Sequence, residues 1–237
     1  MQHFFLAPES FSEKSVTVRD EPTVRQMKQV LRMRTGDTFM GLDNLGHEFL
    51  CVVEDIKLDE IHAKILKKEM NKNEPDISLT LFQAMPKKME LFEWVLQKGT
   101  ELGVSEFVPL ITKHTERDEL TKRDRLERIL KEAAEQSERG KIPTLSEPLK
   151  LSALRTAYPS LPLILFHGRG DFPPLSSQLS QIKTWPKCGL VIGPEGGFSE
   201  EEVALAQQQE FFILSLGSRV LRTETAGIAT AACIIHS

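Results

Sequence analysis

The residues best suited to chemistry lie in the C-terminal stretch Cys188–Ser237, in two loops that each follow an apolar run and lead into a helix. The first loop, Gly193-Pro194-Glu195-Gly196-Gly197, leaves the run Leu190-Val191-Ile192 and precedes a helix with strong start signals. Ser199 can cap its free amides, Glu202 stands three residues on, and Glu200 and Glu201 complement the positive helix end. A glycine-rich loop at a helix start suggests phosphate, but neither GxxxxGK[ST] nor GxGxxG is present. Glu195 in the loop and the acids of the first turn would also repel a phosphate. A neutral or cationic ligand suits the loop better; a tight turn whose glycines only supply positive φ angles is the alternative.

The second loop runs from Leu216 to Ala226. Its Arg222 lies just before the last helix, where the positive helix end makes a guanidinium unfavourable. Arg222 either pairs with Glu224 or Glu195, or stabilises negative charge developing on a substrate. His114 and His167 are the histidines nearest these loops, and both a structural and a chemical role fit them. No Ser-His-Asp order and no paired-carboxylate pattern stands out.

Elements that would position these loops follow from periodicity. Apolar runs over 77–85, 104–111, 162–166, 190–192 and 211–216 read as strands, with Pro109 at the end of its strand rather than inside it. They alternate with helices over 89–102, with Leu91, Val95 and Leu102 on one side and Gly103 as its stop, and over 120–139. The second helix carries the stripe Leu126, Ile129, Leu130, Ala133 and Ala134, with Gly140 and Pro143 ending it. Fully apolar strands alternating with helices predict an α/β domain with a parallel sheet covered on both faces. Ligands sit beyond the carboxyl ends of such strands, which selects the loops after Phe166, Ile192 and Leu216. The last helix, 226–235, is small or apolar all round, so both its faces are expected to be buried, in the core or against a second subunit.

Residues 1–72 have a different rhythm: one helical stretch near 23–33, and short runs at 15–18, 38–40, 48–53 and 61–66 separated by turn signals such as Thr35-Gly36-Asp37 and Leu45-Gly46. They predict a small β-barrel. The polar segment Lys67–Asp76 reads as the linker, giving domains 1–72 and 73–237.

The chain has 237 residues, 40% hydrophobic and 27% charged, with a net charge of −4, which argues against nucleic-acid binding by bulk positive charge. Arg19, Arg25, Lys28, Arg32 and Arg34 nevertheless cluster, and phosphate contact and a solvated surface both remain open for them. A second basic group, Lys122 to Lys131, is interleaved with acids and reads as a solvated helix face. The three cysteines, Cys51, Cys188 and Cys233, are far apart, as expected of free thiols in a reducing compartment and not of a zinc site. No apolar run reaches the roughly 20 residues of a membrane span, and the N-terminus lacks a signal-peptide pattern. A cytoplasmic protein without metal or membrane association is expected.

Taken together, Ile192-Gly193-Pro194-Glu195-Gly196-Gly197-Phe198-Ser199 and Leu216-Gly217-x-Arg219-x-Leu221-Arg222-x-Glu224-Thr225-Ala226 resemble the signature of the 16S ribosomal RNA uridine-N3 methyltransferases, the RsmE family of the SPOUT superfamily. The resemblance extends over Phe4-Phe5, Val30-Leu31-Arg32, Gln97-Lys98-x-Thr100-Glu101-Leu102-Gly103-Val104, Glu132 to Ser137 and Ile142-Pro143. His3, Gly168 and Asp118 depart from the pattern. The resemblance implies a PUA-like barrel that helps hold RNA, then an α/β domain threaded into a trefoil knot. It implies S-adenosylmethionine as cofactor, held by Phe166, His167, Ile192, Gly193, Pro194, Glu195, Gly196, Gly197, Leu216, Gly217, Leu221 and Thr223. It implies a homodimer that methylates N3 of a uridine in 16S rRNA, within the small ribosomal subunit. Arg222 would then stabilise the uracil anion; whether a side chain takes the N3 proton is open, with Glu224 and His167 as the candidates, and Arg25, Arg32, Arg34, Lys98, Arg117 and Arg139 would contact RNA. A related enzyme acting on transfer RNA and a noncatalytic RNA-binding dimer are the rival readings.

Overall fold

The computed structural model describes residues 1–236, so Ser237, at the end of the C-terminal stretch read above, lies outside the described residues. By internal contacts the chain forms two units: Met1–Glu74 with Ala134–Ile142, and Pro75–Ala133 with Pro143 onward.

The first unit is one five-stranded sheet made of β1 (His3–Phe5), β2 (Ser15–Val18), β3 (Thr38–Leu42), β4 (His47–Ile56) and β5 (Ile61–Met70), in the order β1-β3-β4-β5-β2. Only the β1–β3 pairing is parallel. Alternate residues Phe49, Cys51 and Val53 of β4 point into a core with Phe4, Val16, Val18, Phe39, Ile61 and Ala63, so the sheet curls around a single apolar interior. The helix α1 (Glu21–Arg25) is capped by Asp20, whose carboxylate accepts from Thr23 N at 3.1 Å, and one π turn, Gln26–Val30, follows it. Val24 and Met27 plug the core. That helical stretch therefore starts earlier than its apolar period suggested and stops before Arg32, which adopts φ +53°.

β1 is absent from the runs read in the sequence, and β5 continues past the end read for it. β1 is only three residues long, too short to show a period. Lys67–Met70, read as linker, is the second half of β5 and pairs with His47–Leu50; its polar residues are a solvated arm of the sheet.

The second unit is built on a sheet in which every pairing is parallel. Its strands are β6 (Ser78–Ala84), β7 (Glu106–Ile111), β8 (Thr144–Leu145), β9 (Leu149–Lys150), β10 (Leu163–Phe166), β11 (Lys187–Ile192) and β12 (Phe212–Leu214), ordered β12-β10-β11-β6-β7-β8, with β9 also beside β7. β10 is buried throughout, as expected of a strand covered on both faces. The helices are α2 (Met89–Leu102), α3 (Arg123–Gln136), the single turns α4 (Leu154–Ala157) and α5 (Leu179–Ile182), then α6 (Glu200–Gln208) and α7 (Thr223–His236).

Several details differ from the periodicity. Pro109 sits inside β7, opposite Gln83 of β6. The other side of β7 is taken by β8 at Glu106 and Phe107 and by β9 at Leu110 and Ile111, so the proline falls in a gap between partners, where its missing N–H is not needed. The inward face of α2 is Phe92, Val95, Leu96 and Gly99, with Leu91 and Leu102 only half-buried at its edges. α3 stops at Gln136, three residues before the expected end, because Glu138 turns to φ +58° and Arg139 N returns to Ala134 O at 2.9 Å. α7 begins at Thr223, and in the single chain Thr225 and Cys233 remain exposed, so only one of its faces is covered.

Close packing at the sheet centre depends on Gly189, where an added Cβ would stand 2.6 Å from Phe82, 2.7 Å from Leu163 and 3.0 Å from Leu161. All three side chains are buried, so Gly189→Ala should destabilise this unit by about 2 kcal/mol through overpacking. Urea unfolding followed by the fluorescence of Trp94 and Trp185, both in this unit, measures it; an unchanged midpoint would contradict the packing assigned to Gly189.

Candidate active site

The carboxyl ends of β10, β11 and β12 open into a cavity of about 350 Å³ within the second unit, inside the size range of small-molecule and cofactor sites. Its wall is Phe166 to Arg169 after β10, Ile192 to Phe198 after β11, and Leu216, Gly217 and Arg219 to Thr223 after β12, closed by Ala226 on the first turn of α7.

The β11 loop is shaped by close approach. Phe198 folds back so tightly that a Cβ on Gly193 would stand 3.0 Å from its ring, and Gly197 adopts φ +70°. The loop is then tied into α6 by a full capping box: Glu202 N donates to Ser199 Oγ at 3.3 Å, and Ser199 N donates to Glu202 Oε2 at 2.9 Å. The segment after β7 braces it from outside. Lys113 N donates to Glu202 at 2.8 Å, Lys113 Nζ pairs with Glu201 at 2.9 Å, and His114 Nδ1 donates to the Gly197 carbonyl at 3.0 Å. Two of the first-turn acids are thus occupied in holding the loop. Glu195 alone of the acids lines the cavity, and it accepts from Lys87 N at 3.2 Å.

The floor is fixed by a chain of buried polar contacts. Gln83 of β6, fully buried, donates through Nε2 to Thr223 Oγ1 at 2.8 Å, and the Thr223 hydroxyl donates to the Gly193 carbonyl at 2.5 Å. One hydroxyl therefore joins β6, the loop after β11 and the start of α7. Gln83 Oε1 has no hydrogen-bond partner and faces Gly227, where a Cβ would stand 2.4 Å away. Thr223→Val removes the shorter acceptor of Gln83 Nε2 and the donor to Gly193, which should cost about 2 kcal/mol, while Thr223→Ser keeps both bonds. Equal unfolding midpoints for the two variants would show that the hydroxyl contributes nothing.

His167 is half-buried on the cavity wall, with its ring edge-on to Phe172 at 5.7 Å between centroids. Burial lowers its pKa below the ordinary value, and the neighbouring Arg169 guanidinium lowers it further. The imidazole is therefore neutral at pH 7 and able to accept a proton or a hydrogen bond. In Arg169→Ala its NMR titration midpoint should move up toward, without reaching, the ordinary value, because burial is the larger cause. A midpoint that stays put or falls would remove Arg169 from its surroundings.

All twelve positions named for the cofactor line this one cavity, and Arg222 does too. Glu224 does not. It is buried one residue beyond Thr223, about 100° further round α7, and a carboxylate in the first turn is accounted for by the positive helix end. Its assignment as proton acceptor is withdrawn. Periodicity did not point to Arg169, Phe198, Val220 or Ala226; the available signal was their position in the loops at the strand ends.

The residues expected to meet RNA divide differently. Arg25, Arg32 and Arg34 are exposed on the first unit; Arg25 donates to Gln29 Oε1 at 3.2 Å, and the side chains of Arg32 and Arg34 have no ion-pair partner among the described residues. Arg19 and Lys28 of the same group are engaged, with Glu60 and with the carbonyls of Lys57 and Leu58. On the second unit Lys98 pairs with Glu101 at 2.7 Å, and Arg117 donates to the Lys87 carbonyl at 3.3 Å. Arg139 must be removed from the RNA set. Its side chain is 3% exposed and grips Glu74 through both Nε (3.2 Å) and Nη2 (2.7 Å), so it is part of the first unit's interior. Among the described residues no group of three or more His, Cys, Asp or Glu could hold a metal ion, and no helix is long and apolar enough to cross a membrane.

Comparison with known proteins adds independent findings. Residues 72–235 match the family described as an RNA methyltransferase domain, and residues 20–66 the RNA methyltransferase PUA domain. The chain is 35% identical over 224 residues to the ribosomal RNA small subunit methyltransferase E of Synechocystis sp., covering 93% of this chain and 73% of that one. It is 28% identical to the Bacillus subtilis protein of the same name, over 100% of this chain and 96% of that one. Among solved structures it is similar to a ribosomal RNA small subunit methyltransferase E from Neisseria gonorrhoeae bound to S-adenosyl methionine, with a TM-score of 0.86, 28% identity, and coverage of 98% and 95% of the two chains. A putative methyltransferase from Legionella pneumophila, in complex with the same cofactor, also gives a TM-score of 0.86, at 29% identity and coverage of 99% and 96%.

Proposed function

We propose, from the premise that this chain belongs to the ribosomal RNA small subunit methyltransferase E family, that it methylates N3 of a uridine in 16S rRNA of the small ribosomal subunit, with S-adenosylmethionine as donor. The observation that carries this is the single cavity into which three strand ends bring both loop motifs. The helix start beside the cavity is already occupied by carboxylates, which argues against a phosphate-bearing cofactor there, and Glu195 on the wall offers a carboxylate to a cationic one.

When bound, the cofactor supplies an electrophilic methyl group on a sulfonium. The backbone of 192–197 and 216–221 would hold it, with Thr223 fixing the two loops against one another. N3 must lose its proton, and the negative charge then spreads onto the uracil carbonyl oxygens. Arg222, exposed on the wall and with no carboxylate partner among the described residues, would hold that charge. Neutral His167 stands on the same wall as the candidate acceptor of the proton. N3 lies on the pairing edge, so the uridine must be splayed out to react.

The first unit would hold RNA through Arg25, Arg32 and Arg34, and in the second unit Lys98 and Arg117 are the candidate RNA contacts. The half-covered face of α7 supports a homodimer, and membership of the methyltransferase family supports a threaded, knotted chain. A cytoplasmic location follows from the substrate.

Calorimetry with S-adenosylmethionine, and transfer of labelled methyl groups to small subunits, large subunits and transfer RNA, test this reading. Cofactor binding, and N3-methyluridine formed only in small subunits, are expected. No binding would favour a noncatalytic RNA-binding dimer, and transfer only to transfer RNA would move the substrate. Arg222→Ala should lower kcat by about 10²–10³ while cofactor binding persists; an unchanged rate would end its proposed role.

A further inference from the structure

The second unit contains eight arginines, and their partners sort them sharply. Arg123 pairs with Glu127 and Glu147, Arg125 with Glu93 and Arg128 with Glu132; Arg155 donates to the carbonyls of Gln209 and Leu161, and Arg117 to that of Lys87. The guanidiniums of the other three, Arg169, Arg219 and Arg222, have no ion-pair or hydrogen-bond partner among the described residues. All three are exposed, and all three stand on the wall of the one cavity described above. A shortage of acids does not explain this, since the chain has 34 Asp and Glu against 30 Lys and Arg.

The backbone places the first two on loops that leave neighbouring strands. β10 and β12 are parallel neighbours, and beyond their ends the pairing continues: His167 N donates to Leu214 O at 3.0 Å, and Ser215 N to Pro173 O at 2.9 Å. Arg169 and Arg219 thus rise from adjacent loops. Between Arg219 and Arg222 lies Val220, 82% exposed, an apolar surface set among guanidiniums. Planar forks beside an apolar face suit a nucleotide, which presents both a phosphate and a base. One small-molecule carboxylate would occupy a single fork; three free forks call for a polyanion.

We propose that Arg169 and Arg219 together clamp a backbone phosphate of the RNA next to the reacting nucleotide, leaving Arg222 for the base. This rests on the RNA methyltransferase reading and assigns the substrate strand a place at the rim of its cavity. Both arginines are positioning residues that act on the strand.

The test uses the full-length protein, unmethylated small ribosomal subunits and S-adenosylmethionine. Binding of subunits is measured between 50 and 200 mM salt for the wild type, for Arg169→Ala/Arg219→Ala and for Arg169→Lys/Arg219→Lys. The alanine pair should weaken binding about tenfold or more, raise KM for subunits far more than it lowers kcat, and reduce the slope of log K against log salt by about 0.7, the share of one phosphate on a single strand. The lysine pair keeps the charge and should restore the slope but not the full affinity. Cofactor affinity, by calorimetry, should be the same in all three proteins. An unchanged salt slope in the alanine pair overturns the clamp. So does a loss of cofactor affinity at constant slope, which would assign these forks to the methionyl carboxylate. Absence of methyl transfer by the wild type would instead refute the function proposed above, while the salt slope, measured by binding alone, would still decide the clamp.

Discussion

The Thr223 hydroxyl accepts from the Gln83 amide and donates to the Gly193 carbonyl, and the ligand-facing half of the second unit depends on that pair of bonds. Gln83 is part of β6 at the middle of the sheet, Gly193 begins the loop after β11, and Thr223 is the first residue of α7. Each bond is worth only about 1 kcal/mol net, but leaving the buried partners unmade costs more, so the arrangement is enforced mainly by what its loss would expose. Its direction is fixed as well: with Gln83 donating, the Thr223 proton can go only to Gly193. The same side chain shows what this geometry costs. Gln83 Oε1 lies buried without a partner against Gly227, and only a residue lacking a Cβ lets α7 come that close.

Pinning Thr223 determines what its neighbours face. Arg222 and Leu221 precede it on the cavity wall, Ala226 follows one turn later, and Glu224 is carried round to the buried side. A helix start is an unfavourable place for a guanidinium, and the negative charge of Glu224 in the first turn offsets it. α6 handles the same problem differently: its capping box and Lys113 absorb Glu201 and Glu202, so their charge supports the loop rather than the cavity.

Much of this was legible in the sequence, for local reasons. β6, β7, β10, β11 and β12 are apolar runs bounded by loops, α2 ends where Gly103 takes φ +105°, and the capping box of α6 is written in Ser199 and Glu202. What escaped was decided at a distance. Arg139 looks like any basic residue until Glu74, sixty-five positions earlier in the chain, closes on it. Pro109 tolerates a strand interior only because β8 and β9 divide the flank of β7 between them. β1, β8 and β9 are two or three residues long, below the length at which alternation can be seen. Glu224 and Thr223 look equally available in the motif, and a rotation of one helical residue separates the wall from the core.

The cavity also reconciles two opposite electrostatic demands. A sulfonium cofactor and a cationic rim repel, while a polyanionic strand requires that rim. Two unit charges about 10 Å apart across water interact by only about 0.4 kcal/mol, whereas a pair in contact within a dry pocket interacts far more strongly. Arginines exposed to water, with the carboxylate of Glu195 on the same wall and His167 kept neutral, therefore add little repulsion to a bound cation. The same arginines gain when a strand arrives, because a phosphate brings opposite charge to direct contact and excludes water there. Keeping both the arginines and the one acid of the wall exposed to water lets one site accept ligands of opposite sign.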